Sequence, residues 1–264
     1  MVDFNDFKKR VAVDINKSMP QDAVSLPSDG TKATIRAMKV KDQKDFLKAL
    51  EKKDEYLINE CFDRILINCV ETINDKPFDN DTVCIQDRAF LLMKIRQLTT
   101  GPKAKISHIC PKSEQVVNDI EVDISTFPVV KYEGSINKAI DLTPTIQLVL
   151  GPVTRKTEKD IEKWLKMNGT KDSMVDKRYC AYAGVVKGVK YKTDLSSEKY
   201  EDVEGMSFDD KLKFLTEYCR QEHLMIIDDF MKTLDFGIKP EFRFKSDVYE
   251  NDKEEASLLS FFIM

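Results

Sequence analysis

Residues 54–71 read DEYLINECFDRILINCVE and carry the clearest helical signal in the chain. Their large apolar side chains recur at steps of three and four residues, which places them on one face of an α-helix. That face comprises Ile58, Cys61, Phe62, Ile65, Leu66 and Cys69. A stripe this wide has to be covered by other elements, so we expect it to lie in the core of the protein.

Helical patterns continue on both sides of this stretch. Residues 2–19 form an amphipathic pattern that Pro20 ends. Its apolar positions are Phe4, Phe7, Val11 and Ile15. Downstream, Asp87 is a candidate N-cap for a helix that runs through Gln97.

Two further helices are predicted from capping boxes in the second half of the chain. Thr157 with Asp160 opens one of them, and Ser207 with Asp210 opens the other, which runs on towards Gly237. The segment 174–189 between them fits a helix or a strand equally well.

Between these helical regions the periodicity changes to short strands. They span residues 103–109, 115–122, 127–132 and 145–149, and prolines and glycines separate them. This pattern predicts an α+β fold in which helices formed by residues 43–97 and 207–234 pack around a small antiparallel, β-rich middle.

We expect four parts within one or two compact domains. They are an N-terminal helix and linker (1–30), a helical part (31–101), a β-rich part (102–153), and a helical part with a C-terminal strand (154–264).

Composition and charge narrow the function classes. The 264 residues have a formal net charge of -4, so the chain as a whole does not attract polyanions, and nucleic acid is an unlikely partner. No apolar run approaches the roughly 20 residues that span a bilayer, and the acidic start lacks an apolar signal core. We therefore expect a cytosolic protein without a membrane partner. The six cysteines lie scattered, which is typical of buried, reduced thiols.

Only a few residues could carry chemistry. His108 and Cys110 are two positions apart on a predicted strand and share a face, so a small metal-dependent enzyme that uses this pair is one alternative. A zinc site needs about four ligands, however, and the residues after Cys110 supply none. The other histidine, His223, lies within the long predicted helix, where a structural role is expected.

A second alternative is a nucleic-acid-binding module that acts through the segment Lys187–Lys192, where an aromatic residue lies among lysines. Acidic neighbours offset the field of these lysines, so a solvated surface loop is the favoured interpretation. Because no convergent reactive groups and no phosphate-binding loop are present, we expect no small-molecule substrate and no enzymatic activity.

The chain ends on an apolar segment, LLSFFIM at residues 258–264, which follows the charged residues 251–255. Such a segment is either buried in its own domain as a last strand or covered by a partner. The second explanation makes it a binding patch with aromatic anchors and a polar rim. Its predicted partner-binding residues are Leu258, Leu259, Phe261, Phe262 and Ile263.

Several motifs occur in a characteristic order along the chain. They are LPSDG (26–30), MKVKDQKDFL (38–47), ILINCV (65–70), DRAFLLMKIR (87–96) and the terminal pair Phe261–Phe262. In this order the chain resembles the baseplate hub assembly proteins of T-four-like contractile-tailed phages, strongest over residues 38–110.

The resemblance implies a baseplate hub subunit or a factor that helps the hub assemble, without enzymatic activity. Its partners would be other phage baseplate hub proteins. The protein would be present in the host cytoplasm during assembly, and a permanent subunit would also be found in the tail baseplate of the virion.

The same resemblance bears on metal binding. Family members often carry a Cys-Pro-x-Cys knuckle and a second cysteine pair, which suggests a zinc ribbon. Here the corresponding segments are Cys110-Pro111-Lys112-Ser113 and Phe244-Lys245-Ser246-Asp247. Three of the four expected ligands are missing, so we expect no metal and no other cofactor.

Overall fold

In a computed structural model of the protein, the described residues are 3–52, 54–170, 172–195, 197, 199–246 and 249–262. They form eight α-helices, fourteen β-strands in antiparallel sheets and two short 3-10 helices. This composition confirms the predicted α+β class.

The helices are α1 (Phe4–Ser18), α2 (Val40–Glu51), α3 (Glu55–Cys69), α4 (Ile85–Thr100), α5 (Arg155–Met167), α6 (Met174–Val185), α7 (Phe208–Tyr218) and α8 (Gln221–Thr233). The strands are β1 (Gln21–Ser25), β2 (Lys32–Arg36), β3 (Val70–Ile73), β4 (Lys76–Pro77), β5 (Lys103–Ile109), β6 (Val116–Asp123), β7 (Val129–Val130), β8 (Lys138–Thr143), β9 (Ile146–Leu150), β10 (Val186–Tyr191), β11 (Glu201–Asp202), β12 (Gly237–Ile238), β13 (Glu241–Ser246) and β14 (Tyr249–Glu255). The 3-10 helices are Ile124–Thr126 and Leu258–Phe261.

A first core forms around α3 and α4. It is bounded by the sheet β1-β2-β3-β4 and by the hairpin β5-β6. All six apolar side chains of the predicted α3 stripe are buried in it, as expected from their spacing. Asp54 caps the helix by accepting hydrogen bonds from the backbone N–H groups of Tyr56 and Leu57.

A second core forms on the sheet β8-β9-β10-β11, whose spatial order is β11-β10-β9-β8. Helices α6, α7 and α8 bury apolar side chains in it, among them Tyr182, Leu215 and Phe230. Trp164 of α5 packs against the same core from outside.

The two cores divide the chain differently from the four predicted parts. The first core takes residues from 24–127 and again from 242–262, whereas the second takes Cys84 and residues from 140–236. The β-rich segment 102–153 is therefore not one unit. Its hairpin β5-β6 belongs to the first core and its strands β8 and β9 belong to the second.

Helix α4 lies between the two cores. Its side chains from Phe90 to Met93 and that of Ile95 enter the first core, and its N-cap Cys84 belongs to the second. The prediction that Asp87 caps this helix is wrong, because the N-cap is Cys84, three residues earlier. The buried carboxylate of Asp87 instead accepts hydrogen bonds from the backbone N–H and the hydroxyl of Ser28, at 3.1 and 2.5 Å.

Three other predicted boundaries change. Helix α5 is capped by Thr154 rather than Thr157. The segment 174–189 is a helix followed by a strand, α6 and β10. The predicted single helix of residues 207–234 is broken at Cys219 and Arg220, whose extended backbone separates α7 from α8. Its predicted capping box of Ser207 and Asp210 is confirmed.

Candidate interaction surfaces

The apolar C-terminal segment is part of the first core. The side chain of Phe261 is 0 % exposed and that of Phe262 is 4 % exposed, so the prediction that these two rings are exposed anchors is wrong. The alternative explanation, in which this segment is buried as a last strand, is right about burial for Phe261 and Phe262 but wrong about the strand, since residues 258–261 form a 3-10 helix. Ile263 lies outside the described residues. The role of Leu258 and Leu259, which are partly buried against the core, in partner binding stays a prediction.

Ring contacts explain why the segment folds inward. Phe262 contacts both Phe46 and Phe62, with ring centroids 5.5 and 5.2 Å away, and Phe261 contacts Phe127 at 5.1 Å. These distances are typical of favourable aromatic pairs. The buried guanidinium of Arg96 donates to the Phe261 carbonyl at 3.0 Å, so the backbone is held as well as the rings.

His108 and Cys110 both point towards the protein interior, on the shared face that the strand pattern predicts. The His108 ring packs edge-on against Phe242 at 5.1 Å, and its Nε2 lies 3.7 Å from a carboxylate oxygen of Glu254. The Cys110 side chain is fully buried. Among the described residues, no group of three or more histidine, cysteine or acidic side chains is arranged to hold a metal ion.

Buried thiols elsewhere in the chain are poor nucleophiles. Burial raises the pKa of Cys69 and of Cys84 to about 12, so both remain protonated near neutral pH. All cysteines except Cys219 are buried, as predicted.

The lysine segment 187–192 is a strand with a short extension, so the predicted surface loop is wrong. Lys187 donates to the Pro152 carbonyl, and desolvation by burial lowers its pKa to about 8. Lys190 pairs with Asp202 at 3.4 Å, and Lys192 lies 4.5 Å from the centroid of the Tyr200 ring. Each lysine of the segment therefore has a partner within the protein.

His223 has a structural position. Its ring is buried, and its Nδ1 accepts a hydrogen bond from the backbone N–H of Arg220 at 3.2 Å. The imidazole thus satisfies a backbone donor at the start of α8, as a capping side chain does. The sequence indicated a structural histidine here but not its capping role.

One face of α1 is an uncovered apolar surface. Phe4, Phe7 and Ile15 are 64, 53 and 51 % exposed, and no described residue of α1 belongs to either core. The rings of Phe4 and Phe7 stack with centroids 6.5 Å apart. Together with the half-buried Val11, these residues form what we name the α1 stripe. The predicted helix and its apolar spacing are confirmed. The sequence did not predict that no other described element covers this apolar face.

A second surface feature is a cavity of about 680 Å³ between α3 and α5, which we name the α3–α5 cleft. Its floor is the ion pair between Asp63 of α3 and Arg155 of α5, with Nε 3.0 Å from the carboxylate. Its rim includes Tyr56, Lys163 and Lys166.

The floor of the cleft belongs to a buried network that links three helices. Asp63 also accepts hydrogen bonds from Arg88 of α4 at 2.5 Å and from the Asn80 amide at 2.9 Å. Glu158 of α5 accepts from both arginines, at 3.3 and 2.8 Å. Because α3 and α5 carry residues of different cores, this network ties the two cores together.

The described residues form an α+β protein in which the α1 stripe and the α3–α5 cleft are the two candidate interaction surfaces. No helix among the described residues is both long and apolar enough to cross a membrane. A comparison with known families matches residues 19–260 to the T4 bacteriophage base plate protein family. The match spans most of the chain, so the chain belongs to this family and is a structural component of a phage tail baseplate. No curated protein and no solved structure matches it.

Proposed function

We propose that this chain is a non-enzymatic baseplate hub protein that binds other hub subunits, as a permanent component or as an assembly factor. Family membership supports a baseplate role, and the resemblance noted in the sequence favours the hub. The protein acts first in the host cytoplasm, where the hub assembles. The observation that carries the proposal is the α1 stripe, because a contiguous exposed apolar patch marks an interaction site.

The length of α1 favours an apolar groove on another subunit over a second copy of this chain. A stable two-stranded coiled coil usually needs three or more heptads, and α1 has 15 residues, or about two heptads. The stripe instead has the spacing of anchors that a single amphipathic helix places in a groove. The helix precedes the part of the chain that matches the family, so this contact would be additional to those of the common fold.

Co-expression with the other hub proteins of the same phage tests the proposal. Ile15 and Val13 are both 51 % exposed but lie on opposite faces of α1, so they form a matched pair. We expect Ile15→Ser, and more strongly Phe7→Ser/Ile15→Ser, to reduce co-purification with hub proteins, while Val13→Ser retains it. Equal retention by all three variants, or loss only of self-association, would contradict a groove-bound α1.

A quantitative inventory of finished tails separates the two forms of the proposal. A fixed number of copies per tail supports a permanent subunit. Presence in assembling hubs and absence from finished tails supports an assembly factor.

A further inference from the structure

The outward face of α5 carries a regular row of lysines. Lys156, Lys159, Lys163 and Lys166 follow one another at steps of three, four and three residues. At about 100° per residue these positions lie within roughly 80° of one another around the helix. Three of them, Lys159, Lys163 and Lys166, line the α3–α5 cleft.

The charges of the cleft are only partly balanced within the protein. Five basic and three acidic side chains line it, which leaves two positive charges in excess. Asp63 and Arg155 neutralise each other on the floor, and Lys159 pairs with Asp81 at 2.7 Å. No carboxylate of the described residues lies within the 4 Å ion-pair distance of Lys163 or Lys166.

An aromatic side chain stands on the opposite rim. Tyr56 of α3 lines the cleft and is 62 % exposed. Tyrosine is enriched among the side chains that dominate binding at protein interfaces, because it offers apolar area together with a hydroxyl. The cleft thus combines an exposed ring on α3 with unpaired cationic groups on α5.

We propose that the α3–α5 cleft binds an acidic segment of another baseplate subunit, with carboxylates opposite Lys163 and Lys166 and apolar atoms against Tyr56. This inference rests on the proposed function, since it assumes that the chain docks onto hub subunits. Charge complementarity selects the partner. A nucleic acid fits less well, because the formal net charge of the chain is -4, so the protein as a whole does not attract an extended polyanion.

The first experiment measures binding to the other hub proteins of the same phage, purified as a complex without this chain. The test variant is Lys163→Glu/Lys166→Glu. Its matched control is Lys41→Glu/Lys44→Glu, which makes the same charge change at exposed positions of α2. We expect about a tenfold loss of affinity for the test variant at 50 mM salt, a smaller loss at 500 mM salt, and a change within about twofold for the control.

A photo-reactive residue in place of Tyr56 identifies what enters the cleft. We expect a cross-link to a hub-protein peptide with an excess of aspartate and glutamate. A cross-linked peptide without that excess, or equal binding by the test and control variants, overturns the inference. So does binding of a 20-base-pair DNA duplex that depends on Lys163 and Lys166.

The two proposals fail in different ways. If Ile15→Ser reduces binding to the hub complex and Lys163→Glu/Lys166→Glu does not, the cleft inference is wrong and the proposed function stands. If the unaltered chain does not bind the hub complex at all, the proposed function is wrong and the cleft inference is wrong with it.

Discussion

At the scale of the residue, the burial of Lys187 should make the free energy of unfolding depend on pH. Burial lowers its pKa to about 8 in the folded protein, from 10.5 for a free lysine side chain. Between these two values the unfolded chain binds more protons than the folded chain, so the free energy of unfolding gains a contribution that increases from pH 8 to pH 10.5. Below pH 8 both states are protonated and this contribution is constant.

We expect Lys187→Met to remove that increase. Urea denaturation at pH 7.5, 9 and 10.5 gives the free energy of unfolding of the variant and of the unaltered chain. The difference between these two free energies should change with pH. Lys190→Met is the control, because Lys190 lies on the same strand but pairs with Asp202 at the surface. If both variants show the same pH profile as the unaltered chain, Lys187 does not titrate as described.

The inward position of Lys187 could not be predicted from its neighbours in sequence. The local pattern of lysines and one aromatic residue is typical of a surface. The side chain is accommodated because Gly151 on a neighbouring segment has no Cβ: an added Cβ would lie 2.8 Å from the Lys187 Cε. Such a requirement involves two residues far apart in the chain, and local periodicity contains no information about it.

At the scale of elements, two aromatic pairs near opposite ends of the chain differ in their burial. Phe4 and Phe7 are uncovered on α1, while Phe261 and Phe262 are buried. Periodicity predicts which face of a helix is apolar, but it does not predict whether the protein itself covers that face. The α1 helix was therefore predictable and its exposure was not.

This difference gives a direct prediction for stability. Phe262→Ala should lower the free energy of unfolding by about 3–5 kcal/mol, since it opens a cavity beside Phe46 and Phe62. Phe4→Ala is the matched control and should change it by less than about 0.5 kcal/mol, because the ring is largely exposed. Urea denaturation of both variants measures the effects. Similar losses for the two would show that α1 packs on the protein in solution.

The break between α7 and α8 illustrates a second limit of sequence patterns. Neither glycine nor proline marks residues 219 and 220, and the apolar stripe continues across them. The chain can leave the helix there because His223 accepts the Arg220 backbone hydrogen bond that a continuous helix would have satisfied. In contrast, Ser207 and Asp210 were identified as a capping box, because that motif is local.

At the scale of the whole molecule, the buried network around Asp63 should make the two cores unfold together. Asp63→Asn removes the buried carboxylate that Arg88 and Arg155 share and leaves them with the more exposed Glu158 and Glu162. Removing one partner of a buried ion pair costs about 3–5 kcal/mol. Asp229→Asn removes only an exposed pair with Lys232 and should cost less than about 0.5 kcal/mol.

Two probes measure this coupling in one denaturation series. The fluorescence of Trp164, the single tryptophan, reports on the second core, and far-ultraviolet circular dichroism reports on all helices and sheets. We expect both transitions to shift together in Asp63→Asn and to remain coincident. Separate midpoints for the two probes would show that the cores unfold independently.

The fold class was predictable from sequence, whereas the division of the chain was not. Alternating strands and periodic helices identify an α+β protein because both patterns are local. The assignment of strands to cores depends on pairings across the chain, such as β7 with β12 and the return of residues 242–262 to the first core. No local motif specifies those contacts.

Most of the sequence of the second core lies between the two stretches that form the first core. This arrangement affects the order in which the two cores can form during synthesis. Residues 140–236 leave the exit tunnel before residues 242–262 do, so the second core has its full set of segments while the first still lacks Phe242, Phe261 and Phe262. Until then, nascent chains expose the apolar surfaces of Phe62, His108 and Phe127 that these three rings later cover. Newly made protein therefore passes through a stage at which chaperones could recognise it, although the finished molecule hides those surfaces.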